Sequence, residues 1–271
     1  MDSSWFKNRL KHKLLEKANF KRIHIVGCAR SGTTLLYFAL SGFRNTLLYE
    51  REVSVWNWPG LKKTFQLVQE KGFQKERFFI ITKRNATWYV QEKLERLIQY
   101  VNHFRIGLIY LVRDPRDVLT SKHKLHEKPY YVGFETWKQS VSAGEYLQER
   151  LKGYSELLVL RYEDLVQHID QVEERLKNTF GLQLKPGVAS LGHLEQYLDE
   201  QARNSKMVQY MHRLRNFDPR SINKWKNDPE KRNYLKTIWD DPAKRSELET
   251  FMKKYGYSFQ PFETEGQYHE K

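Results

Sequence analysis

"GCARSGTTLL" (residues 27–36) follows the apolar run "RIHIV" (22–26) and leads into "TTLLYFALSGF" (33–43), which reads as a helix. Two glycines, Gly27 and Gly32, stand at the spacing G-x-x-x-x-G. Glycine lets backbone N–H groups turn toward an anion. The Thr33 and Thr34 hydroxyls and the N–H groups of a starting helix add to that preference for negative charge. A nucleotide triphosphatase carries Lys and then Ser or Thr after the second glycine. Here Thr33 and Thr34 fill those places, and the cation is Arg30, inside the loop. No apolar strand ends in a convincing Walker-B aspartate. The loop either holds an anion other than a metal-bound triphosphate or is a glycine-rich turn with no ligand.

Outward from the loop, short apolar runs alternate with longer amphipathic ones. "RIHIV" (22–26), "TLLY" (46–49), "FFIIT" (78–82), "IGLIYLV" (106–112) and "ELLVLR" (156–161) are too short for buried helices and read as strands. Helices are expected at about 34–43, 60–71, 90–103, 115–126 and 134–152. Near-continuously apolar strands separated by helices predict an α/β fold, a doubly wound parallel sheet covered on both faces. After residue 162 helices take over. "DQVEERLKNTFG" (170–181) closes on Gly181, and "DPEKRNYLKTIW" (228–239) and "DPAKRSELETFMKKYG" (241–256) each open on Asp-Pro, a helix N-cap signature.

The chain reads as one domain over 1–271: an appended basic helix at 1–20, a lid at 203–228 and C-terminal helices at 229–256. Its 47 Lys+Arg against 33 Asp+Glu give a net charge of +14, so an anionic partner is expected. The single cysteine, Cys28, excludes an internal disulfide and a Cys-based zinc site. The N-terminus has no signal-type apolar core and no stretch reaches transmembrane length, so a soluble, cytoplasmic protein is expected.

A second segment sharpens the reading. "IGLIYLVRDPRDVLTS" (106–121) is a strand running into Arg113, then Asp114-Pro115 as cap and first turn, then a helix carrying Ser121 two turns on. In a parallel sheet Arg113 stands at the rim where ligands bind, as an anion ligand or as one half of a structural ion pair. Together, "GCARSGTTLL" and "YLVRDPRDVLTS" (110–121) resemble the sulfotransferase family, whose donor is 3′-phosphoadenosine 5′-phosphosulfate (PAPS). "LLVLRYEDL" (157–165) also recurs there, and "SINKWKN" (221–227) is similar to the family's C-terminal donor-binding loop.

The resemblance implies a site. Arg30, Ser31, Gly32, Thr33 and Thr34 would hold the 5′-phosphosulfate, and Arg113 and Ser121 the 3′-phosphate. Tyr162 would lie near the adenine, with Lys224 and Trp225 contributed by the lid; Trp225 is equally well explained as a core residue. Lys83, in "FFIITKRNATW" (78–88), matches the family lysine that approaches the sulfuryl or bridging oxygen; otherwise it is a solvated loop lysine. Cytosolic family members place a histidine two residues later, where this chain has Asn85. Other branches use a glutamate after the second strand, and "EVSVWNW" (52–58) resembles the carbohydrate-type pattern. Glu52 is therefore the candidate general base, with Glu50 second, unless both pair with Arg51 or Arg30. No metal is required for sulfuryl transfer. The tryptophans Trp56, Trp58 and Trp88 flank the expected acceptor side, as ring-binding walls or as ordinary packing.

The expected function is transfer of a sulfuryl group from PAPS to a hydroxyl or amine of a small-molecule or carbohydrate acceptor, with no nucleic-acid partner. The alternatives are a P-loop nucleotide kinase or hydrolase, and a basic protein that binds RNA or a membrane surface.

Overall fold

The computed structural model describes residues 9, 12, 19–49, 51–57, 66, 77–84, 86–123, 127–198, 203 and 216–258. Five strands form one sheet: β1 (Phe20–Gly27), β2 (Thr46–Leu48), β3 (Phe78–Arg84), β4 (Gly107–Val112) and β5 (Leu157–Arg161), in the order β2-β3-β1-β4-β5. Every pairing is parallel, with Ile25 beside Lys83 and Ile109, and Val112 beside Arg161. The doubly wound α/β expectation is met.

Alternation along the strands divides the core into two layers. Val26, Phe78, Ile80, Leu108 and Tyr110 face helices α2 (Gln91–Phe104) and α4 (Phe134–Arg150), with Leu97, Val101 and Trp137 buried between them. Ile23, Ile25, Phe79, Ile81 and Ile109 face α1 (Thr33–Ala39) and α6 (Ile169–Phe180), with Leu36, Phe38 and Leu176 buried between them. Truncating any of these large side chains to Ala would cost roughly 2–5 kcal/mol.

Helix ends follow the sequence signals. Asp114 caps α3 (Pro115–Leu119), accepting from Arg116 N at 2.8 Å. Asp228 caps α8 (Pro229–Trp239) and Asp241 caps α9 (Pro242–Tyr255). Gly181 and Gly256 end α6 and α9 at φ 73° and 69°, the left-handed region that glycine enters without a Cβ penalty. Between β5 and α6 lies α5 (Tyr162–Gln167), and α7 (Leu194–Tyr197) follows α6.

Two helix ends depart from expectation. The helix expected to run through Ser121 stops at Leu119, and the Thr120 hydroxyl turns back onto Arg116 O at 2.7 Å. Ser121 thus sits just beyond α3, its N–H donating to Val118 O at 3.2 Å. The first helix ends at Ala39 and continues as a 3₁₀ turn, Leu40–Gly42. The helix expected at 60–71 lies outside the described residues except for Gln66, and the N-terminal helix at 1–20 except for Arg9, His12, Asn19 and Phe20. No helix among the described residues is long and apolar enough to cross a membrane.

All strands run the same way, so Gly27, Lys83, Arg113 and Tyr162 emerge at one edge of the sheet. The chain leaves β1 toward β2 and β3 on one side, then crosses to β4 on the other. A crevice at such a reversal is the general ligand position in open α/β sheets.

Candidate active site

The loop after β1 is shaped from within. Both the backbone N–H and the hydroxyl of Ser31 donate to Cys28 O, at 3.1 and 2.6 Å. Both donors of Ser31, a residue expected at the donor's phosphosulfate, are engaged within the turn and shape the loop. Gly32 has φ 95°, and a Cβ there would lie 2.3 Å from Cδ2 of Tyr162. Only glycine fits that position. Arg30 also has positive φ, at 72°, a conformation costly for a residue with a Cβ and common where function holds it. Thr33 is buried and Thr34 half-buried at the start of α1.

Arg30 turns across the crevice, and its Nε donates to Ser121 Oγ at 2.9 Å. Arg113 binds the same loop from the other side. Its Nη1 donates to Arg30 O at 3.0 Å and its Nη2 to Ser221 O at 2.8 Å. The guanidinium lies 4.2 Å from the Tyr162 ring centroid and 3.7 Å from Asp117. The Arg113 Nε–H is buried with no partner among the described residues. A buried, unsatisfied, charged donor is costly, and it fits a site that receives an anionic oxygen. Arg113 is thus both an ion-pair residue and a residue with an unused donor.

Two residues that the motif reading missed hold this corner together. Asp117 accepts from Asn223 N at 2.8 Å and Lys224 N at 3.0 Å, fastening the start of the "NKW" turn to α3. Burial raises the Asp117 pKa above the ordinary carboxylate value, and Arg113 and the two N–H groups oppose that shift. Ser221 accepts from the Tyr162 hydroxyl at 2.8 Å. Tyr162 therefore packs between Gly32, Arg113 and Ser221. Lys224 is exposed at the turn, while Trp225 is 5% exposed with the Arg116 guanidinium 4.6 Å from its ring centroid, which makes it a core residue. Of the lid expected at 203–228, residues 204–215 lie outside the described residues. Asp117 was legible in "RDPRDV" only as a charge on a short helix; no local signal gave its partner a hundred residues away.

On the other side of β1, Lys83 is no loop lysine. It lies within β3 and its side chain is 1% exposed. Its ammonium is paired with the Glu52 carboxylate, which is neither Arg51's nor Arg30's partner. Burial lowers the Lys83 pKa, and Glu52 opposes the shift. Val53 N donates to Lys83 O at 3.0 Å, which carries the segment after β2 along β3 and sets Glu52 beside Lys83. Glu50 and Asn85 lie outside the described residues, as does Trp58.

The crevice thus joins a loop of backbone donors, two arginines and a serine, and lies at the same sheet edge as a buried lysine–carboxylate pair. The sequence matches the family described as "Sulfotransferase domain" over residues 20–237. None of the curated proteins compared shows a significant match. Among solved structures, the sulfotransferase domain from the Synechococcus PCC 7002 olefin synthase superposes with a TM-score of 0.60 at 17% identity, over 89% of this chain and 96% of that one. Mouse sulfotransferase SULT7A1 complexed with PAP gives a TM-score of 0.46 at 15% identity, over 87% and 89%. With the family match spanning most of its length, the chain belongs to the sulfotransferase domain family and is a sulfotransferase.

Proposed function

We propose that the chain moves a sulfuryl group from PAPS to a hydroxyl or amine of a small-molecule or carbohydrate acceptor. The observation that carries this reading is the direct link between the two anion segments. Arg30 Nε meets Ser121 Oγ, Arg113 Nη1 meets Arg30 O, and a buried Arg113 Nε–H is left over. A donor with one anionic group at each end uses both halves; a lone phosphate uses only one.

In this reading the N–H groups at Gly32, Thr33 and Thr34, with Arg30, take the 5′-phosphosulfate. Arg113 and Ser121 take the 3′-phosphate, a guanidinium being well matched to phosphate oxygens. Tyr162 supports Arg113 and Gly32 at the adenine side, and Lys224 reaches in from the turn that Asp117 holds.

The acceptor oxygen or nitrogen attacks sulfur in line with the bridging oxygen. The new bond to sulfur forms as the S–O bond to the 5′-phosphate breaks, and its electron pair leaves with PAP. Glu52 takes the acceptor proton. An ammonium has three N–H donors, so Lys83 can hold Glu52 and still stabilise charge on the sulfuryl and leaving oxygens. Glu50 remains the second candidate base.

The test is a thermal-shift titration with PAP and, separately, with ATP–Mg²⁺, on the wild type and Arg113→Ala. A ligand that binds only the folded state raises the melting temperature by mass action. Stabilisation by PAP, lost in the variant, is expected. Stabilisation by ATP–Mg²⁺ alone would replace this reading with a nucleotide kinase or hydrolase.

A further inference from the structure

Glu163 follows Tyr162 in the first turn of α5 and is 5% exposed. A carboxyl group buried this deeply is costly unless its oxygens are met. Oε1 accepts from Asp114 N at 3.0 Å, and Oε2 accepts from the Tyr257 hydroxyl at 2.9 Å. Arg161 Nε stands 4.0 Å from Oε2, too far for a hydrogen bond. Burial raises the Glu163 pKa above the ordinary carboxylate value, and the Asp114 charge adds to the rise. The N–H groups of Asp114 and of Glu163 itself, with the Tyr257 hydroxyl, oppose it. Burial also raises the Tyr257 pKa above its ordinary value, so the phenol keeps its proton and is the donor in this pair.

The bond to Asp114 N acts on Arg113. An N–H and the carbonyl of the residue before it share one rigid peptide plane, so Oε1 fixes the plane that leads out of Arg113. The last pairing of β4 with β5 sets Val112 beside Arg161. Asp114 stands two residues past the first and Glu163 two past the second. The Glu163 side chain thus continues the ladder by one bond beyond the sheet, at the rim where Arg113 emerges. Tyr162 meanwhile holds the guanidinium, 4.2 Å from its ring centroid. Adjacent residues of α5 therefore hold both parts of Arg113, Tyr162 the side chain and Glu163 the backbone.

Tyr257 carries this support to the C-terminal helices. Gly256 closes α9, and Tyr257 N turns back to donate to Met252 O at 2.8 Å. That turn stacks the buried Tyr257 ring on Phe251, with centroids 6.0 Å apart and 14° between the planes. The Arg161 guanidinium lies 4.6 Å from the same ring. The end of α9 is joined in this way, through one carboxyl group, to the strand end that presents Arg113.

We propose that Glu163 is a positioning residue for donor binding: through Asp114 N it sets Arg113 to meet the 3′-phosphate, and Tyr257 fixes its carboxyl group. Glu163 touches no atom of the donor, and its role rests on the donor reading above. The two hydrogen bonds, rather than the charge, do this. A Gln side chain of the same shape can accept from Asp114 N through Oε1 and donate to the Tyr257 oxygen through Nε2. Leu can do neither.

The probes are PAP and adenosine 5′-phosphate, which lacks the 3′-phosphate, titrated calorimetrically into wild type, Glu163→Leu and Glu163→Gln. In Glu163→Leu the affinity for PAP is expected to fall about tenfold, while adenosine 5′-phosphate stays within about twofold of wild type, a range that residues touching no ligand can exert. Glu163→Gln is expected to keep the wild-type preference for PAP. A merely structural role predicts instead that both nucleotides weaken together, or that the melting temperature alone falls. Either of those results, or a Gln variant as impaired as the Leu variant, overturns the proposal. If Glu163→Leu does not fold, Tyr257→Phe takes its place, since it removes one hydroxyl and frees one side of the carboxyl group. Its preference for PAP is expected to drop about threefold, and an unchanged preference overturns the proposal. A wild type that binds the two nucleotides equally overturns the donor reading, and the role of Glu163 with it.

Discussion

Replacing Glu52 by Gln removes the partner of an ammonium that is 1% exposed, whereas Lys83→Met leaves behind a carboxylate that is 23% exposed. The two variants break the same contact with unequal consequences. Removing one partner of a buried pair costs about 3–5 kcal/mol when the other charge stays buried. In Glu52→Gln that charge is Lys83, and its only escape is to give up its proton. From an ordinary lysine pKa near 10.4, neutralisation at pH 7 costs about 4.6 kcal/mol at ~1.36 kcal/mol per unit, which caps the loss. A loss of about 3–4 kcal/mol corresponds to a fall in melting temperature of roughly 6–15 °C for a chain of this size. Lys83→Met instead removes the buried charge, keeps an apolar stem of similar volume and lets Glu52 regain water, so about 1 kcal/mol or less is expected.

The pH dependence adds a signature. Burial lowers the folded-state pKa of Lys83 below 10.5, and the Gln variant lowers it further. Between the folded and unfolded pKa values the unfolded chain binds the extra proton, so stability rises with pH across that window. The deficit of Glu52→Gln is therefore largest at neutral pH and shrinks toward pH 9.5, while Lys83→Met shows no such recovery. Denaturant melts of both variants at pH 7 and 9.5 measure this. Equal losses at pH 7, or a Glu52→Gln deficit that stays constant with pH, would refute the argument.

Gly32→Ala puts a Cβ 2.3 Å from Tyr162 at φ 95°; the left-handed backbone alone costs roughly 1–2 kcal/mol. PAP affinity should fall at least about tenfold, and calorimetry showing unchanged affinity would count against the role given to this loop. Asp117→Ala strips the acceptor from Asn223 N and Lys224 N, each worth about 1–3 kcal/mol if left buried and unmet. The turn is expected to detach instead, seen as faster limited proteolysis within 216–228 and weaker PAP binding. His24 has a folded pKa below its unfolded 6.5, so the unfolded chain takes up the proton first and stability is lost as pH falls through 6.5. Melts of His24→Gln and wild type between pH 5.5 and 7.5 should show the wild type losing more.

The fold was legible because each strand is a short apolar run and the helix caps are local. Gly181, Asp114, Asp228 and Asp241 all act within a few residues of where they stand. The short α3 was not legible, because "PRDVLTSKH" keeps helical composition past Leu119, where the Thr120 hydroxyl donates to the carbonyl of Arg116. In the site, the spacing of Gly27, Arg30 and Gly32 and of Arg113 and Ser121 was readable. Lys83 and Glu52 were readable only through a family resemblance, since nothing in "ITKRN" tells a strand residue from a solvated one. The tie of Asp117 to Asn223 and Lys224, and that of Glu163 to Asp114 N and Tyr257, depend on long-range packing that no local pattern carries.

The most direct test of the central claim is a calorimetric comparison of PAP with adenosine 5′-phosphate, which lacks the 3′-phosphate, on the wild type and Arg113→Gln. A donor site joined through Arg30, Arg113 and Ser121 predicts PAP tighter by about 100-fold, the worth of one or two charge-assisted hydrogen bonds. It also predicts that most of that preference disappears in the variant. Equal affinity for the two nucleotides in the wild type would contradict it.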